Sequence, residues 1–101
     1  MQNWYTESAE ALCKAILSLQ TMEECRAFLE DICTIKEIQD MAQRLQVALL
    51  LSQGKSYLEV SALTGVSTAT ISRVSKCLSY GTGGYADAIS TLNKTAGDKN
   101  E

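Results

Sequence analysis

The chain has 101 residues, of which 46% are hydrophobic and 21% are charged, and its formal net charge is −3. This length allows one domain at most. The absence of proline favours uninterrupted helices, and the absence of histidine excludes acid–base catalysis by that residue. No basic leader opens the chain and no apolar run is long enough to span a bilayer, so we expect a cytoplasmic, non-enzymatic protein without membrane contact.

Apolar residues recur at helical spacing along the chain, and no stretch alternates as a strand would. Capping boxes at Thr21, Thr34 and Ser56 mark helix starts, because each of these residues is followed three positions later by a glutamate. In such a box the hydroxyl accepts the backbone N–H of the glutamate, and the glutamate carboxylate accepts the backbone N–H of the capping residue. Gly54 is a natural helix end, and glycines break the chain again at 81–84. The predicted helices cover about Trp4 to Leu19, Met22 to Cys33, Ile35 to Gln53, Tyr57 to Thr64, Thr68 to Leu78 and Tyr85 to Asn93.

These elements predict an all-α chain with one helical domain over residues 1–94 and a flexible polar tail over 95–101. The four cysteines lack C-x-x-C spacing, so we expect buried reduced thiols rather than disulfides or a metal site. The glycines at 81–84 lack a preceding strand and a Walker lysine, so they predict a helix–helix turn rather than a phosphate cradle. No cofactor is expected.

The charges are distributed unevenly. Residues 1–41 carry eight acidic and three basic side chains, whereas residues 42–86 carry four basic side chains and a single acidic one. Residues 87–101 carry two basic and three acidic side chains. Because phosphate binding needs local positive charge rather than a basic total, only the middle of the chain is suited to DNA.

The segment 56–78 has the spacing of a helix-turn-helix. Ser61 is a small residue where the two helices would touch, and Gly65 tolerates the positive φ that the turn requires. The branched residues expected to hold the helices together are Val60, Val66, Ile71 and Val74. The second helix keeps short polar side chains outward, which suits the major groove. We predict DNA contacts from Ser56, Ser67, Thr68, Ala69, Thr70, Ser72, Arg73 and Lys76.

Two other interpretations of this segment remain open. An αα-hairpin that only packs has similar spacing, and the acidic first 41 residues are compatible with a protein-interaction module. Neutralising Arg73 and Lys76 would leave a protein complex largely intact, whereas it would weaken binding to DNA.

The chain resembles the Trp repressor superfamily, most strongly over about residues 35–86. The resemblance rests on Ala69-Thr70-Ile71-Ser72-Arg73 and on the spacing Arg44-x9-Gly54. The YerC/YecD-type Trp-repressor-related branch is more similar still, through Ser72-Arg73-Val74-x3-Leu78-x-Tyr80-Gly81-x-Gly83-Gly84-Tyr85. The resemblance implies a six-helix fold and an intertwined homodimer whose two recognition helices match a palindromic operator in double-stranded DNA. We expect a transcriptional regulator that acts as a repressor.

The resemblance also implies a ligand position. In the Trp repressor two arginines sandwich the indole of L-tryptophan, and Arg44 and Arg73 align with them. The repressor's next residue is a glycine that lines the ligand slot, whereas Val74 stands here and would fill that space. We therefore expect operator binding without tryptophan. The alternative is an amino-acid-gated sensor that holds a small-molecule corepressor between Arg44 and Arg73.

Overall fold

A computed structural model describes residues 4–99, with side chains described as far as residue 95. Within these residues it contains six α-helices and no strand, which confirms the all-α prediction. The helices are α1 (Glu7–Leu17), α2 (Met22–Ile32), α3 (Ile35–Ser52), α4 (Tyr57–Thr64), α5 (Thr68–Tyr80) and α6 (Gly84–Lys99). Among these described helices, none combines the length and the apolar character that a membrane crossing needs. Two compact units make up the chain, Met1–Ile38 and Gln39–Glu101.

The first unit contains two helices of eleven residues, each begun by a threonine cap. Thr6 Oγ1 accepts the Ala9 N–H at 3.1 Å, and Thr21 Oγ1 accepts the Glu24 N–H at 3.0 Å. The Glu24 carboxylate accepts the N–H of Gln20 rather than that of Thr21, so this box is only half of the predicted one. The caps satisfy N–H groups that would otherwise lack partners at the helix starts.

Neither α1 nor α2 has a buried residue. Their most exposed large apolar side chains, together with one at the start of α3, are Leu12, Ile16, Leu17, Met22, Ile32 and Ile35. Leu17 is 83% exposed, and Met22 and Ile35 are each 77% exposed. Among the described residues of the first unit, the apolar stripes of these helices therefore stay largely exposed.

The second unit has a small, well-packed core. Its buried side chains are Val47, Ala48, Val60, Val66, Ile71, Val74 and Ile89. Each fully buried branched side chain contributes roughly 1.5–3 kcal/mol relative to an exposed one. Val60 of α4 and Ile71 of α5 are both completely buried, so the two helices of the predicted helix-turn-helix share this core.

Gly54 ends α3 as predicted. Its φ is +88°, a conformation that side-chain-bearing residues rarely adopt, and its N–H donates to the Leu51 carbonyl at 3.0 Å. The Lys55 N–H donates to the Leu50 carbonyl at 3.2 Å, which completes the helix end and turns the chain towards α4.

Several helix boundaries differ from the prediction. α1 begins at Glu7 rather than near Trp4, because Thr6 supplies the cap. α5 extends to Tyr80, and α6 extends to Lys99, well beyond the predicted end near Asn93. The first residues of the predicted tail 95–101 are therefore helical, while Asn100 and Glu101 lie outside the described residues. The single domain over 1–94 stays a prediction.

The cysteines are less buried than the sequence predicted. All four are free thiols; the three cysteines at positions 13, 25 and 33 are half-buried, and Cys77 is exposed. Cys77 lies on α5, where the buried face is already occupied by Ile71 and Val74.

Candidate nucleic-acid interface

A complete capping box fixes the start of α4. Ser56 Oγ accepts the Glu59 N–H at 3.2 Å, and the Glu59 carboxylate accepts the Ser56 N–H at 2.9 Å. These hydrogen bonds from Ser56 lower the pKa of Glu59 below its ordinary value of 4.5, and the nearby Lys55 charge adds to the effect. Since the Ser56 hydroxyl acts as an acceptor in the cap, its own proton can still be donated to a phosphate.

The turn between α4 and α5 is held by side-chain hydrogen bonds. Gly65 caps α4 at φ +76°, in the left-handed region that the sequence predicted. Ser61 Oγ donates to the Val66 carbonyl at 2.9 Å, so the small residue predicted at the helix contact also ties α4 to the turn. Thr64 Oγ1 donates to the Val60 carbonyl at 2.7 Å and accepts the Val66 N–H at 3.1 Å. The turn thus has little freedom to change the angle between the helices.

A side chain of α3 also supports the turn. Gln43 Nε2 donates to the Thr64 carbonyl at 3.3 Å, across 21 positions of sequence. The sequence prediction did not include Gln43, because a polar residue on a helix face does not indicate its partner so far along the chain. This bond links the helix-turn-helix formed by α4 and α5 to α3, the helix that precedes it.

Ser67 caps α5. Its Oγ accepts the Thr70 N–H at 3.3 Å and donates to Thr70 Oγ1 at 3.2 Å. The first turn of α5 has no acidic residue, so the positive end of the helix dipole is not neutralised from within the helix. A helix start of this kind favours a phosphate group.

The predicted DNA-contact residues of α5 do not all share one orientation. Thr68, Ala69, Ser72, Arg73 and Lys76 are exposed, as is Ser67 before them. Thr70 is half-buried and lies on the flank of the helix rather than on its outer face. Ile71 is fully buried and Val74 is 2% exposed, so these residues anchor the opposite face in the core. Which of the exposed side chains touch DNA stays a prediction.

An open cleft of about 630 Å³ lies on the flank of α5. Its lining comprises Asp40, Gln43, Arg44, Gly65, Val66, Ser67, Thr70, Arg73, Val74, Cys77 and Tyr85. The structure therefore brings the two predicted ligand residues, Arg44 and Arg73, to one cavity. Val74 forms part of the wall of this cleft and is 2% exposed, so its effect on a bound ligand stays a prediction.

Sequence reasoning missed two other side chains of the cleft. Asp40 lies one helical turn before Arg44 on α3, a spacing that could have placed the two on one face. Tyr85 comes from α6, and its approach depends on the path of the glycine-rich turn, which local pattern does not specify. The cleft thus combines two cations, a half-buried carboxylate and an aromatic ring.

Comparison with known proteins agrees with this architecture. The sequence profile of the Trp repressor protein family matches residues 7–93. The chain belongs to the Trp repressor family. Among related sequences, the uncharacterized protein YerC of Bacillus subtilis is 49% identical to this family member over 86 residues, covering 85% of this chain and 83% of YerC.

Solved structures extend the match to three dimensions. A TrpR-like protein from Eubacterium eligens is 45% identical and superposes with a TM-score of 0.82, over 87% of this chain and 91% of that one. A candidate Trp repressor from Staphylococcus aureus is 41% identical, with a TM-score of 0.84 over 92% and 95% of the two chains. This Trp repressor family member is therefore a helix-turn-helix DNA-binding regulator rather than an enzyme, and its likeness to the family reaches well beyond residues 35–86.

Replacing Gly65 by alanine should destabilise the protein by about 1–2 kcal/mol, because a side-chain-bearing residue is strained in the left-handed region. A Cβ there meets nothing within 4 Å, so the cost is conformational rather than steric. Gly84→Ala is the matched control, since its φ is not in the left-handed region and its Cβ has room. Chemical denaturation of the three proteins measures the difference; equal stability of Gly65→Ala and Gly84→Ala would contradict the role assigned to the turn.

Proposed function

We propose that this protein is a homodimeric transcriptional repressor that recognises a palindromic operator through α4 and α5. The observation that carries the proposal is the exposed face of α5, where Arg73 and Lys76 lie on a helix that starts with an unneutralised positive end. Short side chains near that start, such as Ala69, leave room for base edges in the major groove. Operator DNA as the target also puts the proposed site of action in the cytoplasm.

The homodimer is supported by the uncovered stripes of the first unit. Isolated helices of about a dozen residues are marginal in water, and most helical stability in proteins comes from packing an apolar face. α1 and α2 have eleven residues each and no buried side chain. A second copy supplies the same stripes, so a two-fold arrangement can cover both sets at once. Two linked recognition helices then meet two half-sites about one helical turn of DNA apart.

Arg73→Ala should weaken binding to a selected operator by about 1–3 kcal/mol if the guanidinium reads a base. Lys76→Ala should weaken binding more evenly across sequences and lower the salt slope by about one, as expected for a phosphate contact. Fluorescence anisotropy titrations between about 50 and 200 mM salt measure both effects. Arg26→Ala removes an exposed cation from α2 and is the control.

The outcomes of this titration separate DNA binding from a protein-interaction role. Affinity of the wild-type protein that falls steeply with salt supports the proposal, because neutralised phosphates release counterions. A wild-type protein without salt-sensitive affinity for any selected duplex would show that the helix-turn-helix binds something other than DNA. An equal loss of DNA affinity in Arg26→Ala and Arg73→Ala would indicate that binding depends on net charge alone.

Disrupting the stripe of α1 should dissociate the dimer. Ile16 is 51% exposed in the single chain, and a charge there would be buried without a partner in a dimer interface. Sedimentation equilibrium should give a dimer for the wild-type protein and a monomer for Ile16→Glu, whereas Lys14→Glu, on the opposite side of the same helix with a side chain that is 74% exposed, should remain dimeric. A wild-type protein that stays monomeric at micromolar concentration would refute the homodimer.

A second function, an amino-acid-gated repressor, is favoured by the cleft itself. Arg44 and Arg73 line one open cavity, and guanidinium groups bind carboxylates with good geometry. Tyr85 adds a ring for an apolar or aromatic portion. Because Arg73 is also a predicted DNA contact, a ligand bound to it would directly affect how α5 binds DNA.

A thermal-shift screen with the amino acids separates the two functions. A ligand at about 100 times its Kd should add about 2.7 kcal/mol to the free energy of unfolding. Arg44→Ala should abolish that gain, while Arg26→Ala should preserve it. The absence of any shift in the wild-type protein would leave a repressor that works without a corepressor.

A further inference from the structure

Tyr80 is the most exposed aromatic residue described in the second unit. It ends α5, two residues beyond the predicted end of the helix, and 85% of its surface is accessible. Gly81 caps the helix directly after it, with its N–H donated to the Cys77 carbonyl at 2.8 Å. The core gains almost nothing from a tyrosine in this position, so its ring and hydroxyl are available to a partner.

The position of Tyr80 on the helix indicates which partner. It lies eleven residues after Ala69, seven after Arg73 and four after Lys76, and these spacings put the four residues on one side of an α-helix. Helical side chains also lean towards the N-terminus of the helix. The ring of Tyr80 therefore leans towards the turn that carries Lys76, on the side that is predicted to face DNA.

The charge of this side fits DNA better than protein. Its two charged residues, Arg73 and Lys76, are both basic, and α5 contains no acidic residue at all. The buried anchors Ile71 and Val74 lie on the opposite side. A tyrosine among cations is suited to a phosphodiester, because its hydroxyl donates to a phosphate oxygen while its ring can lie against the sugar.

The length of α5 indicates which part of DNA Tyr80 would reach. At a rise of about 1.5 Å per residue, Tyr80 lies about 16 Å along the helix from Ala69. The major groove is only about 8.5 Å deep, and a recognition helix enters it by its N-terminal residues. If α5 is inclined across the groove with Ala69 near the base edges, Tyr80 comes to the sugar–phosphate backbone rather than to the bases.

We propose that Tyr80 is a DNA-backbone contact that donates a hydrogen bond to a phosphate at the edge of each half-site. This inference rests on the proposed operator binding and extends the interface by a full turn beyond Lys76. It assigns to the tyrosine a positioning role, which fixes how far along the groove the helix sits, rather than a role in reading bases.

The test compares Tyr80→Phe and Tyr80→Ala with the wild-type protein on a duplex of about 30 base pairs, selected by the wild-type protein and long enough for two half-sites one turn apart. Loss of a hydrogen bond to a charged phosphate should weaken binding about tenfold in Tyr80→Phe, and at least as much in Tyr80→Ala. The salt slope should stay unchanged, because tyrosine carries no charge, whereas Lys76→Ala lowers it. Ser79→Ala removes the neighbouring hydroxyl, about 100° around the helix, and should bind normally.

Phosphate ethylation interference on the same duplex provides the direct readout. Ethylation of one phosphate in each half-site should weaken binding of the wild-type protein. The same ethylation should not weaken binding of Tyr80→Phe further. Affinity of both Tyr80 variants within about twofold of wild type, with the same ethylation pattern, would overturn the proposal. A Tyr80→Ala protein that sediments as a monomer would overturn it too, since the residue would then belong to a contact between copies. Absence of DNA binding by the wild-type protein would overturn the proposed function itself.

Discussion

The close contact between α4 and α5 is the constraint that fixes the geometry of the helix-turn-helix. Ser61 is small enough for the helices to approach, and its hydroxyl bonds the Val66 carbonyl across the turn. Gly65 turns the chain at a positive φ, and Gln43 holds the turn from α3. Ile71 then enters the core with no exposed surface. Because a helix has fixed periodicity, burying this one face determines where every outward side chain of α5 points.

The acidic character of the chain does not conflict with DNA binding. Charges act over about 8–10 Å at physiological ionic strength, so the potential near α5 is set by its neighbours rather than by the total. Residues 42–86 contain a single acidic residue, Glu59, and its carboxylate is bonded to the Ser56 N–H. Glu59 thus has a structural role at the start of α4, where the hydrogen bonds with Ser56 lower its pKa. Asp40 adds a second carboxylate beside α5, in the cleft that Arg44 and Arg73 also line.

Local signals predicted most of the fold because they act within a few residues. The Ser56 box, the Ser67 cap and the positive-φ glycines at 54 and 65 were all found as expected. The start of α1 was wrong because Thr6 followed by Ala9 lacks the glutamate of a full capping box. α6 is longer than predicted because polar residues continue a helix when they face solvent. α5 continues to Tyr80 because only Gly81, directly after it, breaks the helix.

The cleft could be predicted only in part. The likeness to the Trp repressor pointed to Arg44 and Arg73, and both line it. Val74 lines the cleft and is 2% exposed, because its face of α5 is the buried one, and its obstruction of a ligand stays a prediction. Tyr85 depends on the path between α5 and α6, a distance set by tertiary packing that no local pattern encodes.

The two helices without buried residues carry a consequence for how the protein responds to its own abundance. A segment that finds its core only on a second copy folds fully in a step whose rate grows with the square of chain concentration. If the protein assembles as the proposed dimer, the concentration of dimer able to bind an operator would rise more steeply than the concentration of chain synthesised. Leu17 and Met22, at the ends of α1 and α2, would then help to set a threshold for occupancy of DNA, although neither residue lies in the helix-turn-helix.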